Sequence, residues 1–185
     1  MATMHDDISK VLLSEEKIAE IVQNMGKQIS KDYEGKNLLM VSVLKGSLLF
    51  MADLMREVTV PCEIDFLSVS SYGNGTQTSG EVRILKDLDA SLEGKDLLVV
   101  EDILDSGVTL SFLLKNLSAR NPASIRLCTF FDKPERRRVD IHADYVGASV
   151  PDEFIVGYGL DYAEKYRNLP YVGVLKPEIY TSEKE

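Results

Sequence analysis

Only two cysteines, Cys62 and Cys128, occur in the 185 residues. Each lies in an apolar or β-branched stretch (60–69 and 125–131), the setting of buried, reduced thiols, and two cysteines make neither a disulfide framework nor a zinc site. Histidine is as scarce: His5 and His142 lack partners at metal-ligand spacing and read as solvated side chains. Basic residues are outnumbered, 21 against 30 acidic, and the net charge of −9 repels a phosphate backbone, which disfavours DNA or RNA as the main partner. No apolar run approaches membrane-spanning length. The first ten residues carry His5, Asp6 and Asp7 in place of a basic stretch followed by an apolar one, and the expectation is a soluble, cytoplasmic protein with no membrane partner. Internal repeats, low-complexity tracts, linkers and a Walker lysine motif are all missing. What remains is ordinary: 44% hydrophobic and 28% charged residues with 12 Gly and 6 Pro suit one globular domain with a sizeable core and exclude disorder, collagen and coiled coil.

Along the chain, Ser14 is a candidate N-cap followed by Glu15 and Glu16, and Ile18, Ile21, Val22, Met25 and Ile29 share one helical face, predicting an amphipathic helix that ends near Gly35. Residues 38–44 form a nearly continuous apolar run, as in a strand covered on both faces, and Lys45-Gly46-Ser47 breaks it before a helix carrying Leu48, Met51 and Met55. Another strand follows Pro61-Cys62 and runs to Val69. Residues 70–80 are too rich in Gly, Ser, Thr and Asn to pack a core and predict a mobile loop, with 81–88 returning as the second arm of a long hairpin. Residues 97–100 predict a buried strand, 101–109 a loop, and Leu110, Leu113, Leu114 and Leu117 a helix that stops before Asn121-Pro122; 124–131 predicts one more strand. The tail, 144–176, predicts a small strand-and-loop lobe. Strands alternating with helices predict an α/β fold with a mostly parallel sheet, whose ligands sit beyond the carboxyl ends of the strands.

The segment Glu101-Asp102-Ile103-Leu104-Asp105-Ser106-Gly107-Val108-Thr109 stands at such an end. Two adjacent carboxylates do not both point into an apolar core, so Glu101 and Asp102 face either solvent or a ligand, for which ribose hydroxyls or a phosphate-bound Mg²⁺ are suitable. Gly107 permits a tight turn, successive backbone N–H groups at the helix start form an anion nest, and Ser106 and Thr109 add hydroxyl donors, a cup for a phosphate monoester. Ser106 or Thr109 reads equally as an ordinary helix cap. Acids for a ribose joined to a phosphate cup, without a Walker lysine, point to a ribose 5-phosphate group.

LLVVEDILDSGVTL, residues 97–110, resembles the signature of the phosphoribosyltransferases. Along nearly its whole length the chain is similar to the bacterial hypoxanthine-guanine members of the purine phosphoribosyltransferase family. Leu44-Lys45-Gly46-Ser47 resembles their pyrophosphate loop, Ser70-Ser71-Tyr72-Gly73 their flexible catalytic loop, and Asp132-Lys133-Pro134 their purine-selecting segment. The stretch 154–162 resembles their base-binding lobe, and Arg167 with Asn168-Leu169-Pro170-Tyr171 continues the match. Ala148 and Phe131 are small departures.

The resemblance implies a type I phosphoribosyltransferase fold: a single domain over 1–185, with a core of about 36–143 and a hood lobe from the N-terminal segment and about 144–185. It implies Mg²⁺-dependent transfer of ribose 5-phosphate from phosphoribosyl pyrophosphate to N9 of a 6-oxopurine, with release of pyrophosphate, in a homodimer or homotetramer. Glu101, Asp102 and Asp161 would be metal ligands, direct or through water. Residues 101–109 with Lys45, Gly46, Ser71, Tyr72 and Arg167 would bind the sugar phosphate and leaving group, and the Leu44-Lys45 peptide would be cis. Asp105 would be the general base at N7, and Asp105 also reads as an N-cap. Lys133 would donate to the purine O6, Phe154 would stack on the base, the Ile155 backbone would read its edge, and Asp161 would also face the purine. Taken alone, Lys133 reads as a surface lysine and Phe154 equally as a core residue. Glu135-Arg136-Arg137-Arg138 reads as a solvated turn or an interface. Two other readings are a regulator that senses phosphoribosyl pyrophosphate and a transferase for xanthine or a pyrimidine. The acidic charge weighs against the first, and the 132–134 and 154–162 matches against the second.

Overall fold

Residues 38–44 are apolar at almost every position because both faces are covered. In the computed structural model, which describes residues 3–71 and 82–181, they form β2 (Leu38–Leu44) inside a six-stranded sheet. Leu38 and Met40 enter one core cluster, Leu39, Val41 and Val43 another, as the two-residue period of a strand requires. On one side β2 pairs in parallel with β3 (Cys62–Ser71), which pairs antiparallel with β4 (Val82–Lys86). On the other side it pairs in parallel with β5 (Asp96–Leu104); β6 (Ser124–Asp132) and β7 (Tyr145–Ser149) continue in parallel. The order is β4-β3-β2-β5-β6-β7.

Helices α1 (Glu15–Asp32) and α2 (Leu48–Glu57) cover one face through Ile18, Val22, Met25, Ile29, Phe50, Met51 and Leu54, and α3 (Val108–Ser118) covers the other through Leu110, Leu113 and Leu117. Ser14 caps α1 as expected, its Oγ accepting the Lys17 N–H at 3.3 Å. A second, three-stranded sheet joins the chain ends. Here β9 (Val172–Leu175) lies antiparallel between β1 (Ile8–Leu13) and β8 (Ile155–Val156), with Val156, Tyr166, Leu169 and Leu175 as its own core; α4 (Pro177–Thr181) follows.

Three boundaries differ from the sequence reading. Helix α1 stops at Asp32, where Tyr33 N–H closes on Ile29 O at 2.9 Å, and Gly35, at φ +73°, belongs to the following turn. Strand β5 runs on through Glu101 to Leu104 because β6 keeps pairing with it (Glu101 with Thr129, Leu104 with Asp132), so four residues expected in a loop are strand. The first strand of the tail, β7, joins the large sheet. The two hairpin arms pair as expected, Ser71 opposite Val82, while residues 72–81, which include most of the expected mobile loop, lie outside the described residues. Among the described residues no helix is long and apolar enough to cross a membrane.

Asp65, with a side chain only 7% exposed, ties β3 to the segment entering β5. Its carboxylate accepts N–H bonds from Phe66 (2.7 Å), Asp89 (2.8 Å) and Ala90 (3.0 Å), with Lys86 Nζ 3.6 Å away. Burial pushes this carboxyl up, but the three backbone donors and Lys86 outweigh it and hold it below the usual range. Asp65→Ala should therefore cost about 1–3 kcal/mol by leaving the donors unmatched. Because the folded carboxyl titrates below the unfolded one, the charge-dependent part is fully present above about pH 4 and is lost as pH falls through the folded value. The gap in urea midpoint between wild type and Asp65→Ala should be largest near pH 7 and shrink toward pH 3. An equal gap at both would assign the charge no part.

Candidate active site

Between the end of β5 and the start of α3 the chain turns in three residues, Asp105 to Gly107. Gly107 is the N-cap, at φ +79°, and a Cβ there would overlap Ile141 Cγ2, so both conformation and space demand glycine. The cap position does not fall on Asp105 or Thr109; Ser106 Oγ does accept the Val108 N–H, at 3.4 Å. The turn opens a cavity of about 220 Å³ lined by Glu101, Asp102, Ile103, Asp105, Ser106, Gly107 and Thr109. Unpaired N–H groups of a helix start, two hydroxyls and a glycine turn suit a phosphate. Leu104, expected to bind the sugar phosphate, is fully buried and does not line the cavity; its carbonyl accepts from Lys133 N–H (3.0 Å) and Arg137 Nη1 (2.9 Å). Val108 is the first residue of α3.

Glu101 and Asp102 are adjacent on β5 and partly buried. Burial, then the neighbouring Asp102 carboxylate, pushes the Glu101 carboxyl well up; burial also raises Asp102, against the opposing pull of hydrogen bonds and of Arg167. Two half-buried carboxylates that repel one another suit a hard divalent cation with oxygen ligands, so the pair fits Mg²⁺. Among the described residues no three His, Cys, Asp or Glu side chains converge on one point, and phosphate oxygens would complete the ligand set. Asp161, the third expected ligand, is engaged elsewhere: Oδ1 lies 3.0 Å from Arg167 Nη2 and Oδ2 accepts the Glu164 N–H at 2.9 Å.

A second cavity, about 380 Å³, is lined by Asp105, Lys133, Arg136, Asp152, Glu153, Phe154, Ile155 and Tyr180. It holds four residues expected to serve the purine site: Asp105, Lys133, Phe154 and Ile155. Lys133 is no surface lysine, being 8% exposed; its Nζ donates to Glu153 O at 2.8 Å, and burial lowers its pKa. Phe154 is no core residue, being 40% exposed. Asp105 lines both cavities. Its Oδ1 is buried and lies 2.9 Å from Arg136 Nε in a contact not aligned as a hydrogen bond, and no other described group hydrogen-bonds it.

In the charge run 135–138, Glu135, Arg136 and Arg138 are exposed, as in a solvated turn, and Arg137 is the exception. Arg137, its side chain 15% exposed, reaches back to the Leu104 and Asp105 carbonyls and the Asp132 carboxylate, clamping the turn that carries the cup. Arg136 bridges Asp105 to Asp152, 3.0 Å from Oδ1 of the latter. Sequence reasoning missed both because a run of charges has no period that says which members fold inward.

The third part of the site is a crossing of backbones. A Cβ on Gly46 would strike the Asp102 carboxylate, and one on Gly159, at φ +98°, would strike Gly46 O. Arg167 Nη1 donates to Gly159 O at 2.8 Å, and Lys45 Nζ lies 2.9 Å from Glu164 Oε2, so Lys45, Gly46 and Arg167 meet beside Asp102. Glu164, paired with both cations, was not foreseen. The Leu44-Lys45 peptide is cis. Ser71 ends β3, and Tyr72 lies outside the described residues.

Residues 9–163 match the family model described as the phosphoribosyl transferase domain. The chain is 52% identical over 179 residues to a hypoxanthine-guanine phosphoribosyltransferase of Staphylococcus aureus, covering 97% of this chain and 100% of the relative. It is 58% identical to a bifunctional protein TilS/HprT of Listeria monocytogenes over 97% of this chain, and spans 28% of that protein's length. A crystal structure of a hypoxanthine phosphoribosyltransferase from Staphylococcus aureus superposes with a TM-score of 0.94 over 97% of each chain. With this turn after β5, this sheet order and these matches, the fold is the type I phosphoribosyltransferase fold, and the chain belongs to the phosphoribosyl transferase family.

Proposed function

We propose that the protein transfers ribose 5-phosphate from phosphoribosyl pyrophosphate to N9 of hypoxanthine or guanine, giving the nucleoside monophosphate and pyrophosphate in purine salvage. The observation that carries this reading is the position of Asp105 on the seam between the two cavities, with a buried carboxylate oxygen that lacks an aligned hydrogen bond. A sensor of the sugar phosphate needs the cup alone; the adjoining cleft with a buried lysine and an aromatic favours a transferase that also holds a flat base.

In this reading the 5-phosphate takes the cup, received by the N–H groups at the start of α3 and by Ser106 and Thr109. Glu101 and Asp102 accept from the ribose hydroxyls. Lys45, the Gly46 backbone and Arg167 supply positive potential around the pyrophosphate, and the resemblance assigns Ser71 and Tyr72 to the same group. The purine enters the second cavity. Lys133, already aimed at an acceptor, turns from Glu153 O to the purine O6, Phe154 stacks on the ring, and the Ile155 backbone reads its edge. N9 forms a bond to C1 of the ribose while the C1–O bond to pyrophosphate breaks, its electron pair leaving with the pyrophosphate. The proton on N7 passes to Asp105. Glu101 and Asp102 would hold Mg²⁺, joined through water by Asp161, whose own oxygens are paired with Arg167 and the Glu164 N–H, and the ion would supply charge neutralisation for the pyrophosphate.

The single domain of 1–185, with a core near 36–143 and a hood from both ends, a cytoplasmic setting and a homodimer or homotetramer belong to the same proposal. The first experiment measures nucleotide formation from hypoxanthine, guanine, xanthine, adenine and uracil with phosphoribosyl pyrophosphate and Mg²⁺. Product from the first two should dominate, and turnover of none of the five would overturn the reading.

Two variants test the roles. Asp105→Asn, measured by rapid quench so that chemistry is seen directly, should slow the transfer step by roughly 10²-fold or more, the usual share of a general base, with phosphoribosyl pyrophosphate binding kept. A wild-type transfer rate would remove Asp105 from the proton. Lys133→Ala should lower kcat/KM for hypoxanthine and narrow its lead over adenine, since a buried donor that favours an oxo group is lost. Unchanged efficiencies for both bases would return Lys133 to a structural role.

A further inference from the structure

Phe154 does not stand alone on its side of the cleft. Its ring is stacked on that of Tyr180, with centroids 5.0 Å apart and planes 22° from parallel, and Tyr162 meets Phe154 edge-on at 5.6 Å. Tyr180 belongs to α4, five residues that the resemblance leaves without a role, yet it lines the same cavity as Asp105 and Lys133. The helix is held at several points. Leu175 N–H donates to Phe154 O at 2.9 Å, Lys176 N–H to Asp7 O at 2.9 Å, and Ile179 and Tyr180 pack on the small core beneath the second sheet. The ring of Tyr180 is thus delivered to Phe154 by the same backbone that anchors Phe154.

We propose that Tyr180 is a positioning residue for the purine: by covering one face of Phe154 it fixes the plane of that ring and leaves the other face for the base. This rests on the purine reading of the cleft. A base cannot enter between the two rings as they stand, because that needs about twice the 3.5 Å of a stacked contact, and their centroids are 5.0 Å apart. The base therefore takes the opposite face of Phe154, in the cavity that Lys133 also lines. An exposed phenylalanine with one bare face rotates freely about its side-chain bonds; one clamped by an offset stack has already lost that freedom when the base arrives. Tyr180 then acts on affinity for the base and not on the chemistry at C1.

The test compares Tyr180→Ala, Tyr180→Leu and Tyr180→Phe with wild type in steady-state kinetics, varying hypoxanthine and phosphoribosyl pyrophosphate separately. Tyr180→Ala should raise KM for hypoxanthine roughly three- to tenfold, the range of one aromatic pair, while kcat and KM for phosphoribosyl pyrophosphate stay within about twofold. Tyr180→Phe should restore the wild-type KM because the flat ring, not the hydroxyl, holds Phe154. Should the alanine variant melt below the assay temperature, Tyr180→Leu, which keeps volume without a flat face, carries the same expectation. An unchanged hypoxanthine KM in both variants overturns the proposal. A lowered one also overturns it, since the ring would then be an obstacle to the base, and so does a phenylalanine variant as impaired as the alanine one. Failure of wild type itself to use hypoxanthine or guanine is a separate result, which sinks the reading of the site before any variant is measured.

Discussion

A side chain at residue 46 has nowhere to go. The backbone of Gly46 runs against the Asp102 carboxylate, and that of Gly159 runs against the Gly46 carbonyl. Three segments far apart in sequence, the turn after β2, the end of β5 and the loop after β8, are packed at backbone distance because two of them carry no Cβ at the crossing. Everything that follows depends on this approach. It sets Lys45 and Arg167 beside the acidic pair, and through Arg167 it joins the small sheet to the carboxyl ends of the large one.

Around that crossing the site balances charge within an acidic protein. Burial raises the carboxyls of both Glu101 and Asp102, the Asp102 carboxylate adds to the rise of Glu101, Arg167 offsets part of the effect on Asp102, and Lys45 and Arg167 are each shared with Glu164. The second cavity repeats the pattern with Arg136 between Asp105 and Asp152 and Lys133 drawn onto a carbonyl. Under the proposed function such a site would exchange internal ion pairs for contacts to an anionic substrate, with its groups ordered before the substrate comes and little conformational freedom left to lose on binding. Arg137 differs from these cations. Its guanidinium ties two carbonyls of the cup's turn and a carboxylate of the next strand, and no substrate is needed to keep it there.

Much of this was legible in the order of residues. The two-faced apolar run 38–44, the amphipathic stripe from Ile18 to Ile29 and the acids followed by a glycine turn each report a local physical requirement: burial on two faces, burial on one, and a tight turn with free N–H groups. Local requirements leave local patterns, and so the α/β class, the parallel sheet, the cup and its neighbouring acids could be read from the chain alone. The resemblance along the chain added the roles proposed for Lys133 and Phe154, which no pattern around them shows.

Tertiary structure decided what depends on partners distant in sequence. Strand β5 runs to Leu104 because β6 lies alongside to pair with it, and β7 leaves the tail for the large sheet for the same reason. Arg137 folds inward and Arg138 does not share its contacts, although the two are indistinguishable as sequence. Asp161 is held by Arg167 and Glu164, and Tyr180, one aromatic in a short polar tail, becomes the stacking partner of Phe154. A pattern records which face of an element is buried; it carries no record of which residue from another part of the chain will meet it there, because that is set only when the elements pack.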